Sequence, residues 1–562
     1  MCIQKFKEDR VKIMDNSTRW REAKERASHL QKYKGSSVWC DETIGQMAKR
    51  LAKEKPDTSV FPNIDGDWSY KRIYEDALAL ARGLNKAGVK PDDVISFQTP
   101  NWPEAAIINV AAALGGFVIS PIVIIYRHAE VRHMLQDSRS KVMFICESFN
   151  KYDFAGMMED IRSECPDLLH VSHVRSDKPG NLQEMIEAGR DLDTVLLTPD
   201  PDDVKLLLYT SGTTGRPKAV LHSHNTLARA SFCARDHWGM EPGAHILMPS
   251  PVSHVSGYAN GLELPFLCDT RTVLMESWNA EKAVELIETF GVAGTVAATP
   301  FLQELSRLSV EKDTNLPSLK YFACGGAAVP SEIVYSANRQ FAETCCFRVF
   351  GSSEAPLVTL GYQGEANADL AATTDGEAVD YEIRIVDDNG DAIAPNADGE
   401  VLDGEIEVRG PAMMIGYADA VDTAGAITPD GFFKTGDIGF INSKGALCIS
   451  GRKKDLIIRG GENISAKEIE DVLHLSAAVQ EAAVVSMPHE RLGEGVCAFV
   501  ILTETAPEDP DGVIEKLLEQ MAESGLAKQK RPEKFIFVDD FPRTASGKIR
   551  KDMLREKAKA ND

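Results

Sequence analysis

The stretch Tyr209-Thr210-Ser211-Gly212-Thr213-Thr214-Gly215-Arg216-Pro217-Lys218 combines the features that a phosphate-binding loop needs. Its two glycines, Gly212 and Gly215, permit backbone turns that point successive N–H groups at an anion. Lys218 adds a positive charge. Four hydroxyl groups add further donors, those of Thr210, Ser211, Thr213 and Thr214. The stretch therefore predicts a nucleotide-binding site.

The residues on either side of this loop are apolar. Residues 204–209 have the character of a buried strand, and Ala219-Val220-Leu221 resumes it, so we expect a loop that joins two strands. A Walker A loop would instead read G-x-x-x-x-G-K-[ST] and open a helix. Here Gly215 is followed by Arg216-Pro217-Lys218 and an apolar strand, which disfavours a P-loop kinase or GTPase.

The rest of the chain alternates between strand-like and helix-like segments. The helix-like segments include 73–88 and 280–291. The strand-like runs include 94–97, 142–145, 293–297, 321–324 and 347–350. This alternation predicts an α/β fold with layered, largely parallel sheets. Residues 381–408 contain short strands broken by turn residues, which predicts a small β-rich subdomain.

A short charged segment at residues 451–455 separates two structured patterns. We place a domain boundary there, with residues 1–453 as the large N-terminal domain and 454–562 as a small C-terminal domain. Helices are predicted at 466–473 and 512–523. Strands are predicted at 482–486, 498–502 and 535–538. These elements suffice for an α+β domain of about a hundred residues.

Composition excludes several functional classes. A net charge of −23 argues against nucleic acid as a partner, because such a partner requires a basic surface. Eleven cysteines without metal-ligand spacing support neither a disulfide framework nor a zinc site. Residues 105–125 approach membrane-spanning length but are interrupted by polar residues, glycine and proline, so we expect a buried helix at 104–114 followed by a buried strand, and no integral membrane segment. Without a signal-peptide core, a cytoplasmic protein is predicted; homo-oligomerisation is left open.

Polar and small residues follow several of the predicted strands. Phe350-Gly351-Ser352-Ser353-Glu354 lies at a strand's carboxyl end, where α/β sheets build their sites. Gly325, Gly326, Ala327 and Ala328 follow another strand and would let a flat base approach the backbone. Asp437 suits ribose hydroxyls, and Arg452 suits ribose or phosphate. Taken singly, each could be a turn or a surface ion pair, but their order behind the phosphate loop favours a nucleotide site.

Together these motifs resemble those of the adenylate-forming enzyme superfamily, which includes acyl-CoA synthetases, aryl-CoA ligases, luciferases and the adenylation domains of peptide synthetases. The resemblance implies that Ser353 lies at the α-phosphate, that Glu354 binds Mg²⁺, and that Lys548 is the lysine of adenylation. The implied catalytic residues are Lys548, Glu354 and Lys218. The implied nucleotide-binding residues are Thr210, Ser211, Gly212, Thr213, Thr214, Gly215, Lys218, Gly325, Gly326, Ala327, Phe350, Gly351, Ser352, Ser353, Asp437 and Arg452.

The same resemblance implies that the C-terminal domain is mobile. It would rotate about Lys454 and exchange Lys548 for the segment 459–464 at the active site. The implied contacts with CoA are those of Arg459, Gly460, Gly461, Glu462 and Lys530.

The resemblance places the acyl pocket around His254. The implied pocket residues are His254, Val255, Tyr258 and Ala328. Peptide-synthetase adenylation domains often carry an Asp near this stretch, and its absence here disfavours an amino-acid substrate. The uninterrupted run 451–464 most resembles bacterial short- to medium-chain fatty acyl-CoA synthetases and cyclohexanecarboxylate-CoA ligases.

These features predict an AMP-forming carboxylate–CoA ligase that uses ATP, Mg²⁺ and CoA. It would convert a small apolar carboxylate (short- or medium-chain fatty, alicyclic or aryl) to acyl-AMP and then to acyl-CoA. Two enzymatic alternatives stay open, namely loading of a separate carrier protein and a luciferase-like oxygenase. A third alternative is a non-catalytic ATP sensor, which the intact set of Glu354, Asp437, Arg452 and Lys548 disfavours.

Overall fold

The computed structural model describes residues 15–210, 217–326, 329–341, 343–460, 462–503, 506–507, 509–543 and 548–560. Its first layer is a seven-stranded sheet. Neighbouring strands are parallel except at one edge, where the last two pairings are antiparallel. In spatial order they are Gly416–Tyr417, Lys218–Ser223, Val204–Thr210, Val118–Pro121, Val94–Gln98, Val142–Cys146 and His170–Val174.

Helices pack around this first sheet, and their alternation with the strands is what the sequence predicts. They are Asn16–Arg26, Ile44–Glu54, Tyr70–Lys86, Glu104–Gly115, His128–Ser138, Phe154–Arg162 and Leu182–Arg190, with a 3₁₀ turn at Ser28–Tyr33 and a small hairpin of Ser148–Phe149 and Tyr152–Asp153. The expected buried helix over 104–114 is confirmed as Glu104–Gly115, which ends where Gly116 adopts a φ of 68°. That left-handed conformation favours glycine. Within the described residues, no helix is both long enough and apolar enough to cross a membrane.

The second layer is a five-stranded parallel sheet. In spatial order its strands are Arg271–Leu274, His245–Met248, Gly294–Ala297, Tyr321–Gly325 and Cys345–Val349. Its helices are His224–Trp238, Val255–Gly257, Leu264–Cys268, Ala280–Phe290, Thr299–Glu311, Ser331–Gln340 and Ala368–Thr373, with a π-helical turn at Tyr258–Glu263 and a 3₁₀ turn at Glu365–Asn367. The carboxyl ends of the last two strands carry the motifs that begin at Gly325 and Phe350.

The predicted β-rich subdomain is a four-stranded antiparallel sheet. Its strands are Glu382–Val386, Val401–Arg409, Phe433–Ile441 and Leu447–Arg452, and a helix Ala420–Ala426 lies between the second and third. A buried ion pair joins this sheet to the second layer: the Nη2 atom of Arg348 lies 2.7 Å from Oδ1 of Asp375, whose other oxygen accepts from the Ile449 N–H. Because removing one partner of a buried pair is costly, this contact holds the two sheets together.

The last part of the chain forms a smaller unit with its own sheet and core. A 3₁₀ turn at Lys453–Asp455 leads into a sheet of Glu462–Ile464, Ile457–Arg459, Gly493–Leu502 and Val479–His489, with Lys534–Phe537 paired to Gly493–Leu502. Its helices are Ala466–Leu473, Pro510–Glu523 and Lys551–Ala560, with a 3₁₀ turn at Lys528–Lys530. Two hydrophobic clusters of this unit contain residues from 457 to 558 alone. The elements predicted from the sequence are all present, with boundaries that differ by a few residues.

The loop that the sequence predicts to bind phosphate, called the phosphate loop below, connects two neighbouring antiparallel strands, as predicted. Val204–Thr210 pairs with Lys218–Ser223, and Thr210 lies opposite Lys218 in the register. The two ends of the loop are therefore held one strand spacing apart. The residues between them, 211–216, lie outside the described part of the chain.

Candidate active site

Glu354 stands where three parts of the chain meet. Its Oε1 accepts a hydrogen bond of 2.9 Å from the Tyr417 hydroxyl and a longer one of 3.4 Å from Thr210, the last residue before the phosphate loop. Its backbone carbonyl accepts from the Met414 N–H at 2.8 Å. Burial and the neighbouring carboxylate raise the pKa of Tyr417, so the phenol keeps its proton and acts as the donor. The Glu354 carboxylate is thus aimed at the mouth of the phosphate loop.

Ser353 is held by a buried histidine. The Nε2–H of His222 donates to the Ser353 carbonyl at 2.7 Å, and its Nδ1 accepts from the Thr226 hydroxyl at 3.1 Å. Burial disfavours the imidazolium and lowers the pKa of His222 to about 4, so the ring is neutral. A neutral ring with one donor and one acceptor fits these two partners.

The residues before Ser353 form a tight turn. The Phe350 N–H donates to the Thr359 hydroxyl at 2.9 Å. A Cβ atom on Gly351 would lie 2.5 Å from the backbone nitrogen of Leu357, so that position requires glycine. The Ser352 hydroxyl accepts from the Ala355 N–H at 3.2 Å and closes the turn. The strand Cys345–Val349 thereby delivers Ser353 and Glu354 in a defined conformation.

Lys218, at the other end of the phosphate loop, is engaged by the helix Ala420–Ala426. Its Nζ lies 2.9 Å from Oδ1 of Asp422 and 5.0 Å from the centre of the Tyr417 ring. Tyr417 therefore touches both the Glu354 carboxylate and the Lys218 ammonium.

Several residues expected at the site lie outside the described part of the chain: Ser211, Gly212, Thr213, Thr214, Gly215, Ala327, Ala328 and Gly461. Gly325 and Gly326, which precede the alanines, are described. A Cβ on Gly325 would meet the Val349 carbonyl oxygen at 2.6 Å, so the backbone there can pack only as glycine, and Gly326 has a φ of 85° with open space around it. That open backbone is the kind of surface on which a flat ring can lie.

Asp437 and Arg452 face each other across neighbouring antiparallel strands. They are register partners, and the Arg452 Nε lies 2.9 Å from Asp437 Oδ1. Burial raises the pKa of the Asp437 carboxyl above its ordinary value, while the positive charges of Arg452 and Lys548 oppose that rise. The β-rich subdomain thus presents a carboxylate and a guanidinium side by side.

Lys548 lies within the same cluster of charges, although it belongs to the unit after residue 453. Burial lowers its pKa to about 8; the charge of Arg452 adds to that fall, while Asp437 and Glu354 counteract it. Burial lowers the pKa of His254 to about 4, and the positive charge of Lys548 contributes to that fall. His254 therefore lies in the electrostatic field of a lysine that is almost three hundred positions away in the sequence.

His254 begins a tightly packed turn. Its Nδ1 accepts from the Ser256 N–H at 3.5 Å, and its carbonyl accepts from the Tyr258 N–H at 2.7 Å. A Cβ on Gly257 would lie 2.0 Å from the Pro251 carbonyl oxygen, so only glycine fits there. Val255 and Tyr258 are buried. The neutral imidazole of His254 is thus held in a fixed position by this turn.

The residues expected to contact CoA lie elsewhere. Arg459 forms an ion pair with Glu533, and the Lys530 Nζ lies 2.7 Å from a carboxylate oxygen of Glu468. Gly460 has a φ of 61°, and Glu462 is exposed. Both cations are therefore paired with carboxylates of the C-terminal unit rather than with the Glu354 cluster.

Lys454 lies in the 3₁₀ turn that begins the C-terminal unit. Its carbonyl accepts from Arg555 Nη2 at 3.3 Å. Partial desolvation, together with the charge of Arg452, lowers the pKa of its ammonium. The turn connects the strand Leu447–Arg452 directly to Ile457–Arg459, so a change in the Lys454 backbone would redirect everything after it.

The donor set fits a magnesium–nucleotide complex. Glu354 supplies one hard carboxylate oxygen, Lys218, Arg452 and Lys548 supply positive charge, and Asp437 supplies an acceptor. Mg²⁺ bound to nucleotides commonly uses one or two protein carboxylates together with phosphate oxygens. Among the described residues no cluster of three metal-ligating side chains occurs, so phosphate oxygens and water would complete the coordination.

Comparison with protein families identifies the family of this chain. The model of the family described as AMP-binding enzyme matches residues 48–418, and that of the AMP-binding enzyme C-terminal domain matches 468–548. The chain belongs to the AMP-binding enzyme family. Within it, the chain is an adenylate-forming enzyme of the acyl-CoA synthetase branch, as the motifs predicted.

Two curated members illustrate this kinship. The medium-chain fatty-acid–CoA ligase of Escherichia coli K12 is 30% identical over 532 residues, which cover 93% of this chain and 92% of that protein. The indoleacetate–CoA ligase of Aromatoleum aromaticum is 30% identical over 525 residues, which cover 92% of this chain and 97% of that protein. This family member is accordingly an acid–CoA or acid–AMP ligase.

A solved structure has the same architecture. ATP-bound MatB from Rhodopseudomonas palustris superimposes with a TM-score of 0.80 at 26% identity, covering 92% of this chain and 99% of that chain. This likeness confirms the α/β class with a large N-terminal and a smaller C-terminal part, and the neighbour binds ATP.

Sequence reasoning missed three residues that support the site. Tyr417 orients Glu354, His222 holds Ser353, and Asp422 pairs with Lys218. His222 sits in an apolar strand and Tyr417 in a two-residue strand 63 positions from Glu354. No local pattern connects such residues to the motifs they support, so only the folded chain reveals the contacts.

Proposed function

We propose that this enzyme activates an apolar carboxylate, of the short- or medium-chain fatty, alicyclic or aryl class, in two half-reactions. The carboxylate oxygen attacks the α-phosphorus of ATP, which yields acyl-AMP and pyrophosphate. The thiolate of CoA then attacks the acyl carbon and releases AMP, which yields the thioester. The observation that carries this proposal is the geometry of the two carboxylates, with Glu354 hydrogen-bonded to Thr210 and Asp437 paired with Arg452. The charge of Lys548, from the C-terminal unit, interacts with both carboxylates.

Each residue of the cluster has a distinct task in the first half-reaction. The Lys548 ammonium neutralises charge that accumulates as the carboxylate oxygen approaches the α-phosphate, a place where a preorganised cation is effective. Asp437 accepts hydrogen bonds from the ribose hydroxyls, and Arg452 holds Asp437 in position at 2.9 Å. Thr210 and Lys218 contact the phosphates. Glu354 would hold Mg²⁺, which supplies charge neutralisation on the phosphate oxygens.

The arrangement of the two units suits this first half-reaction. We assign residues 1–453 and 454–562 to two domains that meet at Lys454, and the Ser465 hydroxyl, from the second, donates to the Ser450 carbonyl of the first. For the thioester step the second domain would turn about Lys454, withdraw Lys548 and bring residues 459–464 to the site. Arg459 and Lys530 would then exchange their carboxylate partners for CoA phosphates.

The environment of His254 supports an uncharged acyl group. The imidazole is neutral, Val255 and Tyr258 are buried, and no carboxylate among residues 251–262 could pair with a substrate amine. An apolar pocket with few polar groups favours ligands of the same character.

ATP–pyrophosphate exchange with a panel of carboxylates tests the proposal. We expect exchange with one or more fatty, alicyclic or aryl acids, followed by thioester formation when CoA is added. Exchange without a CoA-dependent product would indicate transfer to a carrier-protein thiol. Absence of exchange with every acid would refute the ligase function and leave a nucleotide-binding role.

The lowered pKa of Lys548 predicts a pH dependence. The ammonium is the active form, so kcat/KM for adenylation should be constant below about pH 8. Above that pH, kcat/KM should fall along the titration curve of a single proton. Lys548→Arg should move that limb beyond the accessible range, since guanidinium stays protonated. Pyrophosphate release over pH 6–10 measures the profile. An identical limb in Lys548→Arg would assign it to another group.

A further inference from the structure

A chain of four polar side chains lies inside the main apolar core, behind the His254 turn. The Lys205 ammonium contacts the Glu263 carboxylate. The Asn109 amide donates to Glu263 Oε1 at 2.5 Å, and the Tyr258 hydroxyl donates to Asn109 Oδ1 at 2.6 Å. All four side chains are at most 2% exposed. We call this group the Lys205 chain.

Such a chain is expensive to keep in a core. Burial of an ion pair costs more free energy than an apolar replacement of similar volume in many proteins. The Lys205 ammonium also has no second hydrogen-bond partner among the residues that the structure describes, and burial lowers its pKa. Stability alone is therefore a poor explanation for these four residues.

The Lys205 chain connects the strand that leads into the phosphate loop with the turn that begins at His254. Lys205 lies on the strand Val204–Thr210, five residues before the residue that enters the phosphate loop. Tyr258 lies one helical turn after His254, and the Tyr258 N–H donates to the His254 carbonyl at 2.7 Å. Asn109, on the buried helix Glu104–Gly115, completes the link between them.

Tyr258 and Glu263 are also the first and last residues of the π-helical turn. A π-helical turn is rare in proteins and frequently occurs at functional sites. Because the Tyr258 hydroxyl and the Glu263 carboxylate both hydrogen-bond to Asn109, the Lys205 chain ties the two ends of this turn to the same residue.

We propose that the Lys205 chain fixes the distance between the carboxylate-pocket wall and the phosphate-loop strand, and thereby determines which carboxylates the enzyme accepts. This inference rests on the proposed function. Lys205, Glu263 and Asn109 are positioning residues that act through Tyr258 and the His254 turn. With the wall held, an acid that is too long for the pocket cannot bring its carboxylate to the α-phosphorus. With the wall released, longer acids fit.

Two variants test the inference with the full-length enzyme. Tyr258→Phe removes the hydroxyl and keeps the ring. The double variant Lys205→Met/Glu263→Gln removes both charges together. The new amide carbonyl can still accept from Asn109, but the ion pair that joins the turn to the strand Val204–Thr210 is lost. Tyr70→Phe is the matched control, because Tyr70 is another fully buried tyrosine, whose hydroxyl donates to the Pro265 carbonyl at 2.8 Å.

The readout is kcat/KM for a series of acids that differ by two methylene groups, with KM for ATP and the melting temperature measured alongside. In both test variants the preference for the best acid over the next longer one should fall by about tenfold or more, while KM for ATP stays as in the wild type. Tyr70→Phe should keep the wild-type preference.

The inference is overturned if both test variants fold and keep the wild-type order and ratio of acids. It is also overturned if activity falls equally with all acids as the melting temperature drops, or if Tyr258→Phe alone changes the preference. Should the double variant not fold, Glu263→Gln takes its place under the same criteria. A wild type that releases pyrophosphate with no acid would instead refute the proposed function itself.

Discussion

Replacement of Lys548 by alanine should lower the rate of acyl-adenylate formation by about a hundredfold to a thousandfold. The ammonium lies in the same charge cluster as Glu354 and Asp437, where it would meet the charge that develops during attack on phosphorus. The thioester step, started from supplied acyl-AMP and CoA, should keep its wild-type rate because the proposed rotation has then removed Lys548 from the site. Quenched-flow measurement of each half-reaction gives the two rates separately.

The matched control for this variant is Lys557→Ala. Lys557 is an exposed lysine on the helix Lys551–Ala560, so its loss should leave both half-reactions unchanged. If Lys548→Ala slows both half-reactions equally in a folded protein, the rotation of the C-terminal domain is wrong, although the ligase function could stand.

Glu354→Gln should slow adenylation by about a hundredfold or more, since the amide loses the charge with which a carboxylate binds a hard cation. The variant should also need a higher Mg²⁺ concentration for half-maximal pyrophosphate exchange. Tyr417→Phe should have a smaller effect, of about tenfold at most, because it removes one hydrogen bond worth about 0.5–1.5 kcal/mol and leaves the carboxylate in place. Exchange rates across a Mg²⁺ titration compare the three proteins.

Glu365→Gln controls for the loss of one carboxylate charge at an exposed position. Glu365 is exposed in the 3₁₀ turn Glu365–Asn367 and should titrate with Mg²⁺ as the wild type does. An unchanged Mg²⁺ requirement in Glu354→Gln, with the rate reduced, would mean that Glu354 orients Thr210 and Tyr417 rather than the metal.

Much of the candidate site could be predicted because its motifs are local. The residues from Phe350 to Glu354 form a turn whose glycine and hydroxyl groups are contiguous, and the structure shows why Gly351 is required. Asp437 and Arg452 were predicted singly, but their pairing depends on the register of two neighbouring strands, because the residues themselves are 15 positions apart in the sequence. A motif in one segment could be recognised, whereas a register between two segments could not.

The supporting contacts escaped prediction for the same reason. His222 and Tyr417 are separated from the residues they hold by 131 and 63 positions. Their side chains look like ordinary members of apolar strands until the sheet brings them to Ser353 and Glu354. The Lys205 chain is similar, since its members occur at positions 109, 205, 258 and 263 without any shared pattern.

The amino-acid sequence by itself determined the order of strands and helices, the phosphate loop between two strands, and the set of charged residues around it. These follow from hydrophobic periodicity and turn chemistry, which act over a few neighbouring residues. The tertiary structure alone decided which charges meet: Lys548 beside Asp437, Tyr417 on Glu354, and Lys205 on Glu263. Burial and the distance between charges set these interactions, and both quantities exist only once distant segments pack together.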